Sequence, residues 1–265
     1  MTDTLVAAPR NLVGRTVVVT GGNGGIGLAL ARGVGRAGAA VGIWARNDEK
    51  NDAAVQLLAD DGVSAFAVGC DVRHEEQISA AMSATIARFG KVDALFANAG
   101  VGGAEVRFVD LSLADWRDLM SVDVDGAFLS LREGARHMLE RGEGGALVGV
   151  SSIVTRFGAA RKAHYGAAKP AVEGLVRAIA VELASKGVRC NALAPGWTDT
   201  DLVAAGGSFG AANYDRFREA TIHRTPVRRW AEPDDFGAVA AYLADPTLTF
   251  HTGDVLCVDG GYSIC

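Results

Sequence analysis

A chain of 265 residues with 49% hydrophobic and 22% charged side chains is long enough to bury the core of one sizeable α/β domain. Its formal charge of -5 leaves no basic surplus to displace counterions from a polyanion, which argues against a nucleic-acid partner. Cys70, Cys190, Cys257 and Cys265 lack metal-site or disulfide spacing, and neither a membrane-length apolar run nor a signal-like start is present, so the expectations are no metal, no membrane and a reducing, cytoplasmic location.

In chain order, residues 1–12 read as a flexible arm, and the first regular element is the β-branched run TVVVT at 16–20. The stretch GGNGGIG at 21–27 follows at once and opens a predicted helix. Gly21, Gly25 and Gly27 stand where a side chain would obstruct: the tight exit from the strand, the approach of a pyrophosphate to backbone N–H groups, and the packing of helix on sheet. Strand, turn and helix in that order put the positive end of a helix dipole beside the turn and point to a bound nucleotide, with a plain turn as the alternative.

Further apolar runs recur at 39–45, 64–70, 93–100, 145–152, 188–195 and 254–261. Their apolarity is continuous rather than alternating, which predicts strands covered on both faces. Between them, Ile78, Ala81, Met82, Thr85, Ile86 and Phe89 fall on one helical stripe, as do Ala171, Val172, Leu175, Val176, Ile179, Ala180 and Leu183. The alternation predicts a Rossmann-type α/β fold: a doubly wound parallel seven-stranded sheet with helices on both faces, a single domain over 1–265, and a ligand crevice beyond the carboxyl ends of the strands. Residues 196–229 mix glycines, aromatics and polar residues without a sustained period and read as a mobile substrate loop containing a short helix.

AHYGAAKP at 163–170 sets Tyr165 and Lys169 at i and i+4, so on a helix they share a face. A cation beside a phenol favours the phenolate over its reference pKa of about 10, which makes tyrosine a usable acid and base. The alternative is an ordinary exposed helix pair. Pro170 lacks an N–H, so Tyr165 is expected in the first turn of its helix.

TGGNGGIG at 20–27, Asp71 after the third strand, NAG at 98–100, Ser152 in GVSSI, the Tyr165–Lys169 pair, PG at 195–196 and DGG at 259–261 together resemble the classical short-chain dehydrogenase/reductase family over nearly the whole chain. The resemblance implies an NAD(P)-dependent oxidoreductase acting on a small-molecule alcohol or ketone, assembled as a homotetramer. It implies that Tyr165 exchanges a proton with the substrate oxygen, that Lys169 tunes Tyr165 and binds the nicotinamide ribose, and that Ser152 holds the substrate oxygen, with Ser151 the weaker candidate. The implied cofactor-binding set is Gly21, Asn23, Gly25, Ile26, Gly27, Arg46, Asp71, Val72, Asn98, Ala99, Gly100, Tyr165, Lys169, Pro195, Gly196, Thr198 and Thr200, with Asp71 at the adenine and Asn98 on the cleft floor. The threonines would bond the carboxamide or phosphates, or else satisfy a turn.

Two departures bear on chemistry. Where the family often has a catalytic asparagine, WRDLMSVDVDGAFL offers Asp123, whose backbone carbonyl can still hold a relay water or whose carboxylate can pair with Lys169 and alter the pH profile. Ala97 stands before NAG where an asparagine is common. At the end of the second strand, Ala45 occupies the place of the acid that binds the ribose of NAD, and Arg46 follows, which favours NADP; Asp48 and Glu49 leave NAD open. Arg107, Arg156, Arg161 and Lys162 invite an acidic substrate, and Trp197, Phe209, Tyr214 and Phe217 an apolar one, so the substrate stays open; His164 and His223 read as structural. The competing function is a non-catalytic dinucleotide-binding sensor or scaffold on the same fold.

Overall fold

The computed structural model describes residues 11–200 and 214–265. Among them are β1 (Thr16–Thr20), α1 (Gly25–Arg36), β2 (Ala40–Ala45), α2 (Asp48–Asp60), β3 (Ala65–Gly69), α3 (Glu75–Phe89) and β4 (Ala94–Ala97). Then come α4 (Leu113–Met120), α5 (Gly126–Arg141), β5 (Gly145–Val150), α6 (Ala163–Leu183), β6 (Val188–Pro195), α7 (Tyr214–Arg224), α8 (Gly237–Ala244) and β7 (Val255–Val258). The seven strands form one sheet in the order β3-β2-β1-β4-β5-β6-β7, every pair parallel.

Consecutive residues of a strand face opposite sides, and both sides are buried. Val17 and Val19 of β1 join Leu30, Val34, Ile43, Phe96 and Leu243 in one core, while Val18 joins Trp44, Ile78, Met82, Leu95, Leu131 and Val176 in the other. Helices α1, α2 and α8 therefore cover one face, and α3, α5 and α6 the other. This is why the strands read as unbroken apolar runs. The indole N–H of Trp44 is satisfied inside its core by the Thr85 hydroxyl at 3.0 Å. Asn11 and Leu12, expected at the end of the arm, are instead packed: Leu12 is buried, its N–H donates to the Ala37 carbonyl, and Asn11 bonds Asp245.

Several strands stop short of the apolar runs that announced them. β4 ends at Ala97 and β5 at Val150, so Asn98, Ala99, Gly100, Ser151 and Ser152 leave the sheet at its carboxyl edge. The order reverses between β1 and β4, and the crevice opens there. Helix α6 starts at Ala163, which puts Tyr165 in its first turn as expected. Pro170 nevertheless lies inside the helix, where its missing N–H leaves the Gly166 carbonyl without an i+4 donor. Between α4 and α5, residues Ser121–Asp125 form a π-helical turn, a local widening of the kind often found at functional sites.

Candidate active site

A cleft of about 780 Å³ lies over the carboxyl edge of the sheet. Every residue named from sequence for catalysis or cofactor binding lines it. Its floor is set by Thr20, whose hydroxyl oxygen accepts the N–H groups of Asn98 and Ala99, each at 2.9 Å. The Asn98 amide donates back to the Thr20 carbonyl at 2.9 Å, so the ends of β1 and β4 are laced together. Gly21 has φ +63°, and a Cβ there would stand 3.1 Å from Ala99 Cα. A Cβ on Gly27 would overlap the Gly21 carbonyl and press on the Asn98 amide. Asn23 is held by Asn51 at 2.9 Å, and Asn51 in turn by the Ala45 carbonyl at 2.9 Å.

Helix α1 begins at this turn with no side-chain cap and no acid in its first turn. Gly24, Gly25 and Ile26 line the cleft, so the uncompensated N–H groups and the positive helix end present an anion site. That arrangement fits the pyrophosphate of a dinucleotide.

At one end of the cleft β2 terminates in Ala45, followed by Arg46, Asn47 and Lys50. The Asn47 side chain caps α2 by accepting the Lys50 N–H at 2.8 Å. Asp71 is engaged by Arg73 through both oxygens, the shortest contact being 2.6 Å. Those hydrogen bonds, with a smaller contribution from Arg46, outweigh burial and hold its carboxyl down at about 2. Arg46 lies 3.9 Å from Asp71 and its side chain is 61% exposed, leaving the guanidinium able to turn toward a ligand. Sequence reasoning missed Asn47 and Lys50; the signal was the N-cap asparagine followed by two acids at the start of α2.

Tyr165 and Lys169 face the cleft together, with the ammonium 5.4 Å from the centre of the phenol ring. Lys169 is buried, 3.0 Å from Asp123 Oδ2 and 3.3 Å from the Val150 carbonyl. Burial pushes the Lys169 ammonium down, but the Asp123 carboxylate, aided by Tyr165, pushes it up further, and the net shift is upward. Asp123 sits in the π-turn, and its other oxygen accepts the Val101 N–H at 2.7 Å. Ser152 lines the cleft just beyond β5. Ser151 spends its hydroxyl on Glu173 at 2.9 Å and so supports α6. His164 is buried, and its Nδ1 accepts the Tyr165 N–H at 2.9 Å, satisfying one of the orphan donors at the start of α6. The Thr198 hydroxyl donates to the Gly196 carbonyl at 2.9 Å, satisfying the turn backbone.

The far end of the cleft is aromatic. Trp197 meets Phe217 edge-on at 4.9 Å and Tyr262 at 6.0 Å, with Phe157 tilted against Tyr262 at 5.6 Å. Lys162 lines this end, its ammonium donating to the Gly102 and Gly103 carbonyls at 3.0 and 2.8 Å. Burial lowers its pKa, with Glu105 opposing. Arg107 pairs with Asp110, Arg156 reaches Cys257, and neither they nor Arg161 line the cleft. Tyr214 packs against Trp230 instead, and Phe209 lies outside the described residues. Phe157, Arg224 and Tyr262 do line the cleft and carried no sequence signal, because distant chain segments bring them there.

An uncapped glycine turn, a reversal of strand order and a tyrosine–lysine pair over one crevice define a dinucleotide-binding protein of the doubly wound α/β class. The family model for enoyl-(acyl carrier protein) reductase matches residues 21–263, and the chain belongs to the short-chain dehydrogenase/reductase family. It is 39% identical to cis-4-hydroxycyclohexanecarboxylate dehydrogenase of Sinomonas cyclohexanicum, over 94% of this chain and 96% of that protein. It is 32% identical to 5-keto-D-gluconate 5-reductase of Escherichia coli K12, over 95% and 96%. A gluconate 5-dehydrogenase from Burkholderia cenocepacia J2315, solved in complex with NADP and tartrate, superposes with a TM-score of 0.88 at 35% identity, covering 98% of this chain and 99% of that one. The chain is accordingly an NAD(P)-dependent oxidoreductase acting on CH–OH donors rather than a non-catalytic sensor. Among the described residues no helix is long and apolar enough to cross a membrane.

Proposed function

We propose that this enzyme interconverts a secondary alcohol and a ketone, preferring NADP(H) to NAD(H), with Tyr165 as general acid and base. The observation that carries the reading is the Tyr165–Lys169 pair, one turn apart and turned into the same cleft as the uncapped start of α1. The nicotinamide cofactor, when bound, supplies or accepts the hydride at the reacting carbon. Tyr165 gives its hydroxyl proton to the carbonyl oxygen in reduction and takes the carbinol proton in oxidation. Lys169 sets a cation beside the phenol and would hold the nicotinamide ribose of a bound cofactor. Ser152 donates to the same substrate oxygen and fixes its direction. Asp123 keeps Lys169 charged and ties it to the Val101 segment of the cleft floor.

The dinucleotide would lie with its pyrophosphate on Gly25 and Ile26 and its adenosine end toward Asp71 and Val72. Preference for NADP is supported by Ala45 in place of an acid and by Arg46 and Lys50, which can pair with a 2′-phosphate. It is also supported by the NADP bound in the gluconate 5-dehydrogenase relative. Four unpaired thiols accord with a reducing, cytoplasmic setting. A homotetramer belongs to the same proposal, with Phe128 and Leu139 on α5 and Val181 on α6 leaving apolar surface for helix pairing.

The test is NAD(P)H absorbance against a panel of secondary alcohols, sugars and ketones, repeated with Arg46→Ala. The expected result is turnover with the NADP pair favoured, and a loss of about tenfold or more in affinity for NADP(H) that NAD(H) does not share, the size of a charge-assisted contact. Equal losses for both cofactors would contradict the NADP assignment.

A further inference from the structure

The cleft is lined by more cationic than anionic side chains. Arg46, Lys50, Lys162, Lys169 and Arg224 line it, against two carboxylates, Asp71 and Asp123, which are already paired with Arg73 and Lys169. This local surplus sits in a chain of formal charge -5. Arg46 and Lys50 stand at the adenosine end, Lys169 stands beside Tyr165, and the Lys162 ammonium is held by two backbone carbonyls. Arg224 lines the cleft at its aromatic end.

Arg224 closes α7 and stacks its guanidinium over Tyr262 at 4.3 Å and Phe157 at 5.8 Å. Its hydrogen bonds among the described residues are long, 3.3 Å each to the Tyr262 hydroxyl and to a main-chain oxygen of Cys265, the last residue given, and no Asp or Glu side chain is among these partners. A guanidinium stacked on rings is fixed in plane and offers its N–H edge, the geometry that grips a carboxylate with two parallel bonds. The neighbouring walls, Phe157, Trp197, Phe217 and Tyr262, are aromatic and suit a compact apolar body, while Arg224 stands exposed at their edge.

We infer that Arg224 is a specificity-determining residue that reads a carboxylate on the substrate, so that the preferred substrates are hydroxy acids and keto acids whose reacting carbon and carboxylate are separated by a compact apolar spacer such as a saturated ring. The inference rests on the alcohol/ketone reading above and names the substrate class for it.

Calorimetry of the enzyme saturated with oxidised cofactor, titrated with cyclohexanecarboxylate and with the neutral cyclohexanecarboxamide, reads the preference without turnover. The wild type should bind the carboxylate at least tenfold more tightly. Arg224→Leu should bring the carboxylate down to the affinity of the amide, and Arg224→Lys should keep part of the preference. In reduction, 4-oxocyclohexanecarboxylate should show a KM at least tenfold below that of 4-methylcyclohexanone, and Arg224→Leu should erase the gap through KM rather than kcat. A wild type without preference, or an Arg224→Leu variant that keeps it while its thermal midpoint falls, would overturn the inference and leave Arg224 as a clamp on Tyr262 and Cys265. The alcohol/ketone reading would survive either result if 4-methylcyclohexanone is reduced; absence of cofactor-linked turnover with any ketone or alcohol would remove that reading and the inference with it.

Discussion

The Lys169 ammonium keeps its charge in a buried place because Asp123 stands 3.0 Å away, outweighing the desolvation that would neutralise it. Asp123→Asn removes that carboxylate charge while keeping an acceptor for the Val101 N–H. The expected outcome is that activity falls off at a lower alkaline pH than in the wild type, because the buried ammonium loses the carboxylate that holds it charged. A superimposable pH profile would show that the carboxylate does not hold the ammonium charged. The placing of Tyr165, Lys169 and Ser152 in one cleft was legible in sequence because one helical turn and one strand end suffice to bring them together. The charge pairing of Asp123 was legible only as one of two options, since nothing in the sequence reveals the π-turn that aims it.

At the scale of elements, the start of α1 is shaped by close approach. A Cβ on Gly27 would overlap the Gly21 carbonyl, which is backbone and cannot step aside. Gly27→Ala should therefore cost about 1–3 kcal/mol of stability, as overpacking does, and weaken cofactor binding by at least about tenfold as the turn opens. Thermal denaturation and cofactor titration on the one variant check both; wild-type values for both would mean that the turn tolerates a side chain. The glycine turn could be read from its spacing because each glycine answers a local constraint. The aromatic end could not: Phe157, Arg224 and Tyr262 come from three separate segments of the chain and meet only after the sheet has ordered them. The strand ends show the same limit. Apolarity continued past Ala97 and Val150, but pairing stopped there, and the surplus residues became the cleft floor.

Over the whole molecule, a parallel sheet buried on both faces explains the continuous apolar strands, and the reversal between β1 and β4 explains why one crevice collects residues from 21 to 262. The helices that cover the sheet still expose apolar side chains, with Val181 on α6 86% exposed. If helix pairing between copies buries that surface, sedimentation should give a tetramer, and Val181→Glu should shift it toward smaller species; a monomer at all concentrations would contradict the assembly. The central claim, proton exchange at Tyr165, is tested most directly by Tyr165→Phe under single-turnover conditions with saturating cofactor. The account predicts a rate at least about a hundredfold lower with cofactor affinity little changed, the range expected for loss of a general acid/base. A variant that turns over at the wild-type rate would contradict it.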